Sequence, residues 1–235
     1  MERRHFLAAG VLIIAACIAG TALCIEEGSR STVDADGGPE VTLPAPRMES
    51  GTSVEEALRT RRSVRSYRQE PLTLAEIGQI LWAAQGITGA GGLRTVPSAG
   101  ALYTLEILVA AGEVTDLDPG VYRYHPAGHA LTRIQEGDVR RDLARAALGQ
   151  PTVEEAPAVL VITAFPNRTT GKYGERGIRY IHMEAGHCAQ NVYLQATSLG
   201  LGTVAIGAFD DRQVTDTLGL DEGEEPLYLM PVGRV

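Results

Sequence analysis

Lysine is almost missing from this chain: of 21 basic side chains only Lys172 is a lysine, so composition alone singles that position out. Cysteine is nearly as scarce. Cys17 and Cys24 fall in an apolar N-terminal segment and Cys188 alone lies in the body, which excludes a disulfide within the body and a cysteine-rich zinc site. Runs of like charge are also missing. The balance of 21 basic against 29 acidic residues gives a diffuse net charge of −8, which disfavours a nucleic-acid partner. There is no dinucleotide-binding fingerprint, no phosphate loop and no internal repeat. A metal site is not expected, because His182 and His187 lie roughly 140° apart around a helix and cannot converge.

What is present fits one folded domain with an appendage: 235 residues, 44% hydrophobic and 21% charged. Arg3 and Arg4 precede an almost uninterrupted apolar run from Phe6 to Ile25, about the ~20 residues that span a bilayer as a helix. Residues 1–25 therefore read as a signal peptide or membrane anchor, and the opening Arg3-Arg4-His5-Phe6-Leu7 resembles a twin-arginine export signal. Residues 26–51 carry Gly, Ser, Pro and acids without hydrophobic period and read as a flexible linker, so the folded domain is expected to span 52–235, outside the cytoplasm.

Within the body, Ser53 ahead of Glu55 and Glu56 predicts a helix start, and Thr73 with Glu76 predicts a capping box opening a helix to about Gln85. Gly86 to Gly92 reads as a flexible loop. Strands are expected at 105–111 and 158–164 as buried apolar runs, at 121–124 and 130–134 as a hairpin, and at 203–208 and 227–232. Helices are expected at 138–148, 181–199 and 210–218. The longest of these carries an apolar stripe beside a polar one, Glu184, His187, Asn191, Gln195 and Ser198, which suits a cofactor pocket or a subunit interface. Helices and strands without strict alternation predict an α+β fold, a central mixed sheet flanked by helices.

Three places could carry chemistry. Arg61, Arg62, Ser63 and Arg65 can offer guanidinium forks and a hydroxyl to a phosphate, although a solvated face would look the same. Pro97-Ser98-Ala99-Gly100-Ala101 lets backbone approach a flat ligand closely, and Gly200-Leu201-Gly202 with Ile206-Gly207 adds further close-approach points. Lys172-Tyr173, in the Thr- and Gly-rich stretch from Thr169 to Gly177 read as a loop, could exchange protons; a surface loop with one lysine is the other reading.

Taken in order, these segments resemble the nitroreductase superfamily, and specifically its azoline-dehydrogenase-like branch. The resemblance rests on Arg61-Arg62-Ser63-Val64-Arg65, Leu81-Trp82-Ala83-Ala84-Gln85-Gly86, Pro97-Ser98-Ala99-Gly100-Ala101-Leu102-Tyr103, Lys172-Tyr173-Gly174-Glu175-Arg176, Glu184-Ala185-Gly186-His187, Gln190-Asn191 and Gly200-Leu201-Gly202. It implies a homodimer with an FMN site at each subunit boundary. It further implies that Arg61, Arg62, Ser63 and Arg65 hold the ribityl phosphate, that Pro97, Ser98, Ala99, Gly100 and Ala101 meet the flavin ring, and that Ile206 and Gly207 face its N5. Arg234 is expected to stand in for a C-terminal phosphate-binding extension, and Lys172 and Tyr173 match the branch's proton-transfer pair. The implied activity is an FMN-dependent dehydrogenase or reductase. A tethered flavin-binding scaffold and a reductase of small nitroaromatics are the alternatives.

Overall fold

A computed structural model of the chain describes residues 40–235; the apolar run at 6–25 and the first part of the expected linker lie outside the described residues. The described chain opens with strand β1 (Glu40–Thr42), helix α1 (Val54–Thr60), β2 (Leu72–Thr73), α2 (Leu74–Gln85) and a small hairpin of β3 (Ile87–Gly89) and β4 (Leu93–Arg94). Strands β5 (Leu105–Ala111), β6 (Val114–Thr115), β7 (Gly120–His125) and β8 (Ala130–Glu136) follow, then helices α3 (Arg140–Ala146) and α4 (Pro151–Glu155). The last part runs through β9 (Ala158–Ala164), α5 (Pro166–Tyr173), α6 (Arg176–Ser198), β10 (Leu201–Thr203), α7 (Asp211–Leu218) and β11 (Glu225–Arg234).

Seven strands form one sheet in the order β1-β8-β7-β5-β9-β11-β10. Helices flank it as expected, but every pairing within it is antiparallel rather than mixed. Among the described residues, parallel pairing occurs only at the short β2–β6 pair and at an isolated bridge between Ser63 and Thr203. The apolar runs at 105–111 and 158–164 have a simple cause, since both faces of the sheet are covered. Along β5, Ile107 and Val109 pack with α2 and α6 residues such as Ile77, Leu81 and Val192, while Leu108 and Ala110 pack with Leu143, Val214 and Leu218 of α3 and α7.

Local signals are strong where a side chain closes a helix end. Ser53 accepts the Glu56 amide, and Thr73 and Glu76 make the reciprocal capping box. Three expectations are corrected. The stretch 86–92, expected as a loop, forms part of the β3–β4 hairpin with a 3-10 turn at Ala90–Gly92. The expected strand at 203–208 ends at Thr203, and Ile206 reaches the sheet only by bridging Leu229. The domain also begins earlier than Thr52: β1 pairs with β8, Leu43 is buried in the core, and Gln79 holds both the Arg47 amide (2.7 Å) and the Arg47 carbonyl (3.1 Å). Pro44 and Pro46 make that segment look like a linker, yet its carbonyls find partners; His129 Nε2 lies 3.1 Å from the Pro44 oxygen.

Candidate active site

α6 is the spine of the site. Its buried stripe, Ile181, Ala185, Cys188, Ala189, Val192 and Ala196, faces the core as its periodicity predicts. The polar stripe beside it is largely used inside the protein: Asn191 donates to the Ala83 and Thr95 carbonyls (3.1 and 3.3 Å), and Gln195 accepts from Gln79 (3.2 Å). His187 stays exposed and Glu184 is deeply buried.

One half of the candidate site lies where α1 ends. Val64 donates to the Thr203 carbonyl at 2.9 Å, laying the Arg61–Arg65 segment along β10. The close approach requires Gly202, because a Cβ there would come within 2.7 Å of the Val64 Cβ. The Ser63 hydroxyl is 3.0 Å from the Tyr193 hydroxyl on α6, which also accepts the Ala205 amide at 2.8 Å, and Arg61 stacks over the Tyr193 ring at 5.1 Å. Tyr67 braces the segment from below, its hydroxyl reaching the Val64 and Pro231 carbonyls (3.0 and 3.2 Å). Burial pushes that phenol up to about 12, so it remains a neutral donor. Arg62 folds back on the Arg59 and Arg61 carbonyls, and Arg65 is exposed. Arg234 is brought near only at its backbone; its guanidinium is held by Glu76 at 3.0 and 3.1 Å. Ile206 is buried, and Gly207 opens onto a cleft of about 600 Å³ lined also by His182, Arg212 and Tyr228.

The other half gathers Pro97–Ala101 and Lys172–Tyr173, which the sequence separates widely. They meet at Gly100, which has a φ of +66°; a Cβ there would lie 2.7 Å from the Tyr173 hydroxyl and 2.9 Å from Lys172 Nζ. Lys172 and Tyr173 are not in a loop as expected but in the last turn of α5, which Pro166 starts at its first turn and Gly174 stops. Thr and Gly content hid that helix in the sequence. The turn before β5 is strained, since Ala101 and Tyr103 also have positive φ (53° and 47°). Beneath it the Ser98 Oγ accepts the Tyr103 amide at 2.9 Å, and the buried Oε1 of Glu184 has no hydrogen-bond partner. Burial pushes the Glu184 carboxyl above its ordinary value, against the lowering influence of neighbouring Ser98, Ala99 and Arg94. Arg94 itself donates to Gln85 (2.9 Å) and stacks over Tyr103 at 4.5 Å.

Sequence reasoning missed Tyr193 and Arg94 as site residues. It noted Glu184 only as part of a polar stripe, although a charge on an otherwise buried helix face was the signal available.

The covered sheet, the guanidinium-rich end of α1 and the Lys172–Tyr173 pair set against Gly100 define the α+β framework and its candidate site. The chain belongs to the nitroreductase family, whose model matches residues 58–234. A nitroreductase-type protein of Methanocaldococcus jannaschii is 51% identical over 197 residues, covering 84% of this chain and 98% of its own length. Among solved structures, a chain of the E. coli microcin synthetase McbBCD complex, with truncated pro-MccB17 bound, is 26% identical with a TM-score of 0.66, over 83% of this chain and 77% of that one. The NADPH:FMN oxidoreductase of Vibrio harveyi, complexed with NAD+, is 25% identical with a TM-score of 0.55, over 77% of this chain and 67% of its own.

Proposed function

We propose that the protein is an FMN-dependent oxidoreductase of the azoline-dehydrogenase-like branch, acting as a homodimer, with Lys172 and Tyr173 as its acid/base pair. The observation that carries this reading is the meeting of Lys172 Nζ and the Tyr173 hydroxyl at Gly100, inside the segment expected to face a flat ligand. The donor chemistry of the other half fits a phosphate: Arg61 and Arg65 offer guanidinium groups and Ser63 a hydroxyl, close to backbone that Gly202 allows to approach. When bound, FMN supplies acceptance and donation of two electrons as hydride. Lys172 and Tyr173 would take up or return the accompanying proton, and the Gly207 backbone would be available to hold the group.

The homodimer has physical support in α6. Glu184, whose carboxyl feels Ser98 and Ala99 of the Pro97–Ala101 turn, and Tyr193, which holds Ser63, are nine residues apart, about two and a half turns and roughly 13 Å along the axis. The two half-sites therefore leave opposite sides of the helix. A second copy would complete each half with its complement. The exposed apolar side chains Val54 and Leu58 of α1 and Met183 of α6 suit such a face.

The visible absorbance of the purified protein tests the cofactor: a flavin spectrum is expected, and a colourless protein that takes up no added FMN refutes it. Steady-state assays with an azoline peptide and with a nitroaromatic separate the two substrate classes. The apolar run at Phe6 to Ile25 supports a domain working outside the cytoplasm, held or exported through that segment. Mass spectrometry of the mature N-terminus, combined with membrane fractionation, tests it. Among the described residues no helix is long and apolar enough to cross a membrane.

A further inference from the structure

Lys172 and Tyr173 close α5, and α6 begins three residues beyond Tyr173 at Arg176. The corner between the two helices is tightly built. Gly174 takes a φ of +56°, which favours glycine, and its amide closes α5 on the Thr170 carbonyl at 2.8 Å. Gly177 then lets α6 cross α5 at close range, because a Cβ there would come within 3.0 to 3.1 Å of the Thr169–Thr170 backbone.

A fixed backbone does not by itself fix a tyrosine ring. Tyr173 is half-buried, and among the described residues its hydroxyl makes no hydrogen bond. What the ring has is another ring. Tyr180, one turn into α6, meets it edge-to-face with centroids 5.3 Å apart and planes at 87°, an arrangement two aromatic quadrupoles prefer. Arg176, four residues earlier on the same helix face, covers the Tyr180 ring at 5.7 Å, and Lys172 Nζ lies 5.4 Å from the Tyr173 centroid. A row therefore runs from Arg176 through Tyr180 and Tyr173 to Lys172, and it ends on the pair that meets Gly100. Tyr180 belongs to neither hydrophobic cluster and its own hydroxyl makes no hydrogen bond among the described residues, so core packing does not account for it.

We propose that Tyr180 is a positioning residue for Tyr173: its ring sets the side-chain rotamer that brings the Tyr173 hydroxyl to Gly100. The ring pairing rests on this geometry alone. Its consequence for turnover rests on the functional reading above, in which Tyr173 exchanges a proton. The role belongs to the ring and not to the Tyr180 hydroxyl, so Tyr180→Phe keeps it, whereas Tyr180→Leu keeps an apolar side chain and loses the quadrupole.

The test replaces tyrosine by 3-fluorotyrosine throughout the full-length protein and follows the Tyr173 fluorine by NMR, identified as the resonance missing from Tyr173→Phe. In Tyr180→Leu that fluorine is expected to move toward the position of free 3-fluorotyrosine, and kcat to fall by about two- to tenfold, the equivalent of one ring pair, with KM unchanged. Tyr180→Phe should keep both near wild type. Where Tyr180→Leu does not fold, Gly177→Ala pushes α6 away from α5 without altering either ring, and a smaller change in the same direction is expected.

A Tyr173 fluorine that stays in place in both Tyr180→Leu and Gly177→Ala overturns the proposal. A displaced fluorine with wild-type kcat overturns its role in turnover. If the wild-type protein turns over no substrate, or Tyr173→Phe leaves kcat unchanged, the functional reading fails while the fluorine spectrum still decides the ring pairing. A Tyr180→Phe variant displaced as far as Tyr180→Leu overturns the ring account.

Discussion

The Glu224 and Glu184 regions bury the same side chain and treat it in opposite ways. Glu224 sits in a closed network: Arg123 grips it with two nitrogens, the Thr163 hydroxyl donates to it, and Asp221 adds an outer contact to Arg123 at 3.1 Å. That network ties β7 and β9 to the turn entering β11. Glu184 makes no salt bridge among the described residues and keeps a buried oxygen without a hydrogen-bond partner. A buried charge that is fully paired serves the fold; one left partly open lies where the fold meets its chemistry.

Substitutions separate the two regions, with the largest effect expected at Arg123. Arg123→Ala should be the most damaging to stability, by about 3–5 kcal/mol, because it strands the Glu224 carboxylate in the core; urea unfolding would show it, and a loss below ~1 kcal/mol would put the two glutamates on the same footing. Lys172→Ala acts on the other region and on another axis. Since Lys172 is exposed, its unfolding midpoint should hold while turnover falls by about 100-fold, the effect of losing a general acid or base.

Gly100→Ala should lose about 1–2 kcal/mol through its left-handed backbone alone, and its methyl would push on Tyr173 and Lys172 as well. Thermal unfolding checks the first part and the pH–rate profile the second. The smallest effect is expected for Glu184→Gln, within about 1 kcal/mol at neutral pH. Its sign follows from linkage. The Glu184 pKa is raised on folding, so its contribution is fully present below the ordinary carboxyl value and is lost as pH rises through the raised one. Relative to wild type, Glu184→Gln should therefore gain stability as pH rises above the ordinary carboxyl range; urea midpoints of the two proteins that move in parallel as pH rises would contradict it.

Much of the architecture was legible in the sequence because its signals are local. The capping box at Thr73 and Glu76, the 3.6-residue stripe of α6 and the doubly buried runs of β5 and β9 each announce themselves within a few turns or one strand. The sheet's antiparallel order was not legible, since it depends on which distant strands pair. The same limit applies to the site. Sequence order grouped the Arg61–Arg65 and Pro97–Ala101 segments with Lys172–Tyr173, but only folding reveals that Gly100 meets the last pair and that Tyr193 meets Ser63. Arg234 illustrates the converse: a terminal arginine suited to a phosphate is instead engaged with Glu76, the residue that caps α2.

The ends of the main sheet bear on how copies of this protein can meet. At the β10 end the edge strand is only three residues long, its Thr203 carbonyl takes the Val64 amide, and beyond it the flank of β11 is engaged by the Ile206–Leu229 bridge. So little unpaired backbone offers a poor template for a strand from another molecule. That end of the sheet is thereby guarded against edge-to-edge pairing, and recognition there is left to side chains on the flanking helices.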